Sequence, residues 1–184
     1  MSETELETKA LAMIEAIYNE IVELHHNREI WKYLNDELPK RGGSTINRAL
    51  THWYIDSQSS TIRRMASNRS QDKTSLYRLL EVIGGNLDTF KSKYGVTIST
   101  EVINADIVTL KAETAKIVRW ADEKVAHLGR KSTSNPTFDD LDAAVNLLGS
   151  LMSKYNQLLT GAGLPEVTPV ITDDWRAPFS KAWF

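Results

Sequence analysis

The residues best placed for chemistry lie in Arg119-Trp120-Ala121-Asp122-Glu123-Lys124-Val125-Ala126-His127. A histidine can take or give a proton near neutral pH, and an arginine can grip a phosphate through its planar fork of N–H donors. Together on one helix they suit the cleavage of RNA. At about 100° per residue, Lys116, Trp120, Glu123 and Lys124 fall within roughly 60° of His127. Arg119 falls about 80° away and roughly 12 Å back along the axis, so its long side chain can approach the same pocket. Asp122 points to nearly the opposite side. A second reading of His127 needs no chemistry, because an imidazole near a helix C-terminus is favoured by the helix dipole alone.

Asp56, Ser60, Arg63 and Arg64 form a second constellation, spaced by helical steps that put them on one face. An arginine near the centre of an apolar stripe needs an acidic partner or a bound anion. Asp56 could orient such an arginine, which could then hold a phosphate bidentately. The alternative is a structural ion pair inside the fold. Arg130 and Lys131 follow His127 directly, and Lys40-Arg41-Gly42-Gly43 offers another basic loop. Either could contact a phosphate backbone, though small basic clusters are often just solvated loops.

Other chemistries are poorly represented. The 184 residues include no cysteine, which excludes disulfides, thiolate nucleophiles and cysteine–zinc sites. His25 and His26 are adjacent and cannot converge on one ion from a helix, so no metal is expected. The chain has no phosphate-binding glycine loop, no dinucleotide fingerprint and no HExxH. No cofactor enters the reading. The net charge of −2, with 25% charged and 41% hydrophobic residues, describes an ordinary soluble mix without a global basic field. The acidic N-terminus lacks the order of a signal peptide, and no apolar run approaches the roughly 20 residues of a membrane span. A cytoplasmic protein without a membrane partner is expected.

The elements that must position these residues are helical. Leu6, Ala10, Met13, Ile14, Ile17, Ile21 and Leu24 mark a first helix over about residues 3–27. A short second helix, about 28–37, stops at Leu38-Pro39. The next starts at Ser44 as N-cap and runs to about 67. Its stripe begins with Ile46, Leu50 and Trp53, then turns polar at Ser57, Ser60 or Thr61, and Arg64. Helices over about 74–83 and 86–94 come next, with Gly84-Gly85 ending the former. The longest pattern, Ile103, Ile107, Leu110, Thr114, Ile117, Ala121, Val125 and Leu128, spans about 99–128. Thr137 caps a last helix carrying Leu141, Ala144, Val145, Leu148, Met152, Tyr155 and Leu159. The fold class expected is all-α, an antiparallel bundle of about five to six helices over residues 1–163. Residues 164–184 form an extension rich in proline and aromatics, expected to dock on the bundle or on a partner subunit, since disordered tails are poor in aromatics.

Three stretches carry a family resemblance: Asp56 through Ile62-Arg63-Arg64-Met65 with Ser75-Leu76-Tyr77-Arg78-Leu79-Leu80; Ala121 through Leu128; and Asp174-Trp175-Arg176-Ala177-Pro178-Phe179 with Trp183. In these the chain resembles the HEPN superfamily, in particular its abortive-infection (AbiU-like) branch associated with phage defence. That resemblance implies a metal-independent ribonuclease of a defence or toxin–antitoxin system. In it an arginine, a polar residue and a histidine meet their counterparts across a homodimer cleft. The histidine would act as acid or base on the RNA 2′-OH while the arginine steadies the phosphate. Asp122 fits the polar position and His127 the histidine. Ala121 stands where the pattern has arginine, and Arg119 lies further before His127, with Lys124 nearer. The resemblance therefore implies either a rewired nuclease using Arg119 or Lys124, or an inactive HEPN-like module that dimerises and binds RNA, nucleotide or a partner such as an antitoxin.

Overall fold

The computed structural model describes residues 3–40, 42–68, 74–95, 97–125 and 134–160, together with Arg176. The described residues form six α-helices and no strand, an all-α bundle: α1 (Glu3–Lys40), α2 (Ser44–Met65), α3 (Leu76–Gly85), α4 (Leu87–Tyr94), α5 (Thr100–Trp120) and α6 (Phe138–Thr160). A π-helical segment, Ala121–Val125, continues α5. No helix among the described residues is long and apolar enough to cross a membrane.

Two expected helices merge. α1 runs unbroken through 38 residues, because nothing near Asn27 is glycine or proline and the chain has no reason to turn there. Pro39 falls in the last turn. There the Gly43 N–H donates to the Leu38 carbonyl at 2.8 Å, and Gly42 takes a φ of 76°. This is the left-handed region that glycine enters without a Cβ clash. Gly43, not Ser44, stands at the N-cap of α2, and no side chain caps that end. Ser75 and Ser99 do cap, accepting from the N–H groups of Arg78 at 3.1 Å and Val102 at 3.4 Å.

The face of α2 also differs from expectation. Tyr54, Gln58, Ser59, Ile62 and Met65 are buried, whereas Ile46 is 48% exposed and Trp53 67%. Three apolar side chains of the first set decide the packing, and the two polar ones come with them. Gln58 is accommodated because its amide donates to the Leu24 carbonyl of α1 at 3.1 Å. The α6 stripe and most of the α5 stripe are buried, with Ile107 half-buried, while the Val125 side chain and Leu128 lie outside the described residues. Ile103, Leu110, Thr114, Ile117 and Ala121 face Leu141, Ala144, Val145, Leu148, Met152, Tyr155 and Leu159 in one core. Leu87 and Phe90 point inward from α4. Between α5 and α6, the Asp106 carboxylate receives the Tyr155 hydroxyl at 2.6 Å and the Lys154 ammonium at 2.5 Å.

At the start of α6 the Asp140 N–H donates to the Thr137 hydroxyl oxygen at 3.2 Å, while Asp140 accepts from the Thr137 N–H at 2.5 Å. The two residues cap each other's exposed donors. Lys116 adds an ion pair at 2.6 Å. The Lys116 ammonium, followed by the Thr137 N–H and hydroxyl, pulls the Asp140 carboxyl down to about 2. A carboxyl depressed on folding contributes stability that is complete above its unfolded value and lost as pH falls toward the folded one. Asp140→Asn should therefore cost a few tenths to about 1 kcal/mol at pH 7. That cost should shrink as pH falls below about 4 toward 2. Urea midpoints of both proteins across that range check this. Leu148, fully buried in the core, tests the packing: Leu148→Ala should cost about 2–5 kcal/mol in the same measurement.

Candidate anion-binding cleft

The two constellations separated in sequence meet in space. Arg63, near the end of α2, donates through Nε to the Asp122 carboxylate in a short ion pair. Both side chains are largely buried, with 21% and 32% of their surface exposed, so solvent screens the pair only in part. Arg64 pairs instead with Glu20 of α1 and reaches the Thr61 hydroxyl at 3.4 Å. Asp56 is exposed on the outer side of α2, and the arginine-orienting role considered for it goes to Asp122 and Glu20.

The Arg63–Asp122 pair sits where α5 changes pitch. A π turn carries one residue more than an α turn and rotates the downstream chain by about 100° relative to the ordinary count. Angles counted at α-helical pitch therefore apply only as far as Ala121. Two contacts flank the widened turn. One turn before it, the Ser134 hydroxyl donates to the Lys116 carbonyl of α5 at 2.8 Å. Asp122 is drawn toward Arg63. His127, Arg130 and Lys131 lie outside the described residues.

Beside the pair opens a cleft of about 520 Å³, lined by Ala66 at the end of α2 and by Lys111, Thr114, Ala115, Val118, Arg119, Asp122 and Glu123. Its floor is apolar and two cations stand along it. Arg119 is exposed and makes no hydrogen bond or ion pair among the described residues. Lys111 lies with its ammonium 4.6 Å from the centre of the Tyr77 ring. Lys116 is taken by Asp140, and Lys124 is exposed outside the cleft lining. Of the residues singled out from sequence, the cleft thus gathers Arg119 and Asp122, with Arg63 behind Asp122. Ala121 is 1% exposed. It is therefore a core position.

A second polar site has no counterpart among the constellations read from sequence. Arg28 donates to Asn146 Oδ1 at 2.7 Å and through Nη2 to His25 Nδ1 at 3.0 Å. A guanidinium only donates, so His25 Nδ1 must accept, and the neutral ring carries its proton on Nε2. Burial, then the Arg28 charge, lowers the His25 pKa, and the Val145 backbone, Glu29 and Asp142 partly offset this. Nε2 itself makes no hydrogen bond of regular geometry. A signal for this site does exist in the sequence: His25 and Arg28 lie one helical step apart beside the Ile21–Leu24 stripe. No group of three or more histidine or acidic side chains among the described residues could hold a metal ion.

No family model, characterised protein or solved structure matches the chain.

The ion pair can be weighed by a double-mutant cycle. Arg63→Ala and Asp122→Ala should each destabilise the protein, and their coupling in denaturant unfolding should be about 0.5–3 kcal/mol. Additive effects would mean that the pair does not hold α2 to the end of α5.

Proposed function

We propose that the chain is an HEPN-like RNA-binding protein whose cleft at the end of α5 takes the nucleic-acid backbone. The observation carrying this reading is Arg119, without a partner among the described residues, standing at the cleft with Lys111 and with apolar Ala115 and Val118 between them. A fork-shaped cation and a point-charge cation two turns apart, roughly 12 Å, suit phosphate groups, and the strip between suits the less polar parts of a nucleotide. Asp122 is already neutralised by Arg63 and does not repel an entering anion as a bare carboxylate would.

The second reading is a metal-independent endoribonuclease of a phage-defence or toxin–antitoxin system, acting as a homodimer under an antitoxin partner. What favours it is that Arg119 stands on the helix leading toward His127. His127 would take the proton from the 2′-OH as that oxygen attacks the neighbouring phosphorus, and a protonated histidine would deliver one to the departing 5′ oxygen. Arg119, aided by Lys124, would stabilise the charge gathering on the phosphoryl oxygens. The burial of Ala121 speaks for the binding reading, because the family's own arginine position is closed.

Fluorescence anisotropy with labelled single-stranded RNA tests binding. Arg119→Ala and Lys111→Ala should each weaken binding across sequences and reduce the slope of log affinity against log salt by about 0.7. Unchanged affinity and slope in both would overturn the proposal. For cleavage, the protein and His127→Ala are incubated with labelled RNA and tRNA in the presence of a chelator. Loss of cutting in the variant alone supports the nuclease. Equal cutting, or none in either, removes His127 from catalysis.

A further inference from the structure

A groove runs between α1 and α2. Its middle is polar, a cleft of about 220 Å³ lined by residues that include Glu23 and Asn27 of α1 and Ser57, Thr61 and Arg64 of α2. Residues seven apart on a helix share a face. Moving two turns along α1 from Glu23 and Asn27 leads to Ile30 and Leu34. Moving back along α2 from Ser57 leads to Trp53 and Leu50, and then to Ile46. The same groove thus changes from polar to apolar toward the closed end of the hairpin. Trp53 and Ile46 are 67% and 48% exposed there, on the side of α2 that faces away from Tyr54, Ile62 and Met65. A tryptophan and an isoleucine on one exposed helix face, beside a leucine, form the kind of apolar patch that is normally covered.

The chain carries a matching occupant. Beyond α6 come Trp175, Phe179, Trp183 and Phe184, four aromatics within the last ten residues. Arg176 lies over the Tyr33 ring of α1, 5.5 Å from its centre. Tyr33 comes one turn after Ile30 and precedes Leu34, so this contact brings the terminal segment to the level of the apolar half along α1. The levels agree across the hairpin, since Trp31 donates to Thr51 at 3.3 Å and stacks on Tyr54 at 4.5 Å. Chain length permits the path. α6 runs back along α1, with Asn146 near Arg28 and Phe138 stacked on Trp31. The segment from Thr160 to Arg176 can extend to about 55 Å, more than the roughly 35 Å of α6. The eight residues after Arg176 reach up to about 28 Å, more than a helix diameter of about 10–12 Å.

We infer that the C-terminal aromatic segment of this chain docks in the apolar half of the α1–α2 groove, with Phe179, Trp183 and Phe184 covering Ile46, Leu50 and Trp53. Arg176 on Tyr33 anchors it on α1 at that level. The inference stands apart from the proposed RNA cleft, which lies on other faces.

The absence of native cysteine makes the test direct. Ala49→Cys on the outer face of α2 is paired with Ala182→Cys, and a short thiol crosslinker is added to the full chain. Val108→Cys, 66% exposed on α5, with Ala182→Cys serves as the control pair. The expected result is a crosslink within one chain, at least tenfold more efficient than in the control. It should be lost when Phe179, Trp183 and Phe184 are all changed to alanine, with the helical circular dichroism unchanged. Equal yields in the two pairs, or a crosslink indifferent to the alanines, overturns the inference. Crosslinks that join two chains and grow with protein concentration also overturn it, in favour of a second copy on the groove.

Discussion

The ion pair between Arg63 and Asp122 joins the end of α2 to the segment where α5 changes pitch. Neither side chain could be left alone there, because each is largely removed from water and an unpartnered charge in that setting costs several kcal/mol. The pair therefore constrains both helices at once. It fixes how far the end of α2 stands from α5, and so the width of the cleft between Ala66 and Arg119. It also consumes the two residues most easily mistaken for free ligand-binding groups, which leaves Arg119 and Lys111 as the cations presented to a visitor.

Where one apolar row is unbroken, the fold is legible from residue order. α6 and the part of α5 up to Ala121 read correctly because every row member, from Ile103 to Ala121 and from Leu141 to Leu159, is apolar or a threonine satisfied within its own helix by the Leu110 carbonyl. α2 misleads for a physical reason. Its buried row contains Gln58 and Ser59, so hydrophobicity alone selects the outer row of Ile46, Leu50 and Trp53. Only the Leu24 carbonyl across the hairpin makes Gln58 acceptable inside, and that partner is 34 residues away. In α1 the apolar pattern is interrupted by the polar run His25–Glu29, and such a gap mimics an end in the sequence. A helix without a breaker simply continues.

The site is legible in its members and not in its pairings. Arg63, Asp122 and Arg119 each stand out by type and spacing. That Arg63 belongs to Asp122, across 59 residues, depends on a tertiary approach that no local pattern encodes. The π turn is equally hidden, since no glycine or proline within Ala121–Val125 marks it. The buried His25–Arg28 pair is within reach of sequence reasoning, because charged and titratable groups beside a core stripe must find partners.

The widened turn at Ala121–Val125 also changes which alterations of this chain are neutral. Elsewhere in α5, length and orientation are tied, and dropping a residue would throw the core row out of phase. Within the π turn, one residue is surplus to α-helical phase. Removing it would restore ordinary pitch through Ala121–Val125 and turn Asp122 and its neighbours relative to Arg63. The described end of this helix is thus indexed by a single surplus residue, and sequence length at that point acts as an angular setting of the molecule.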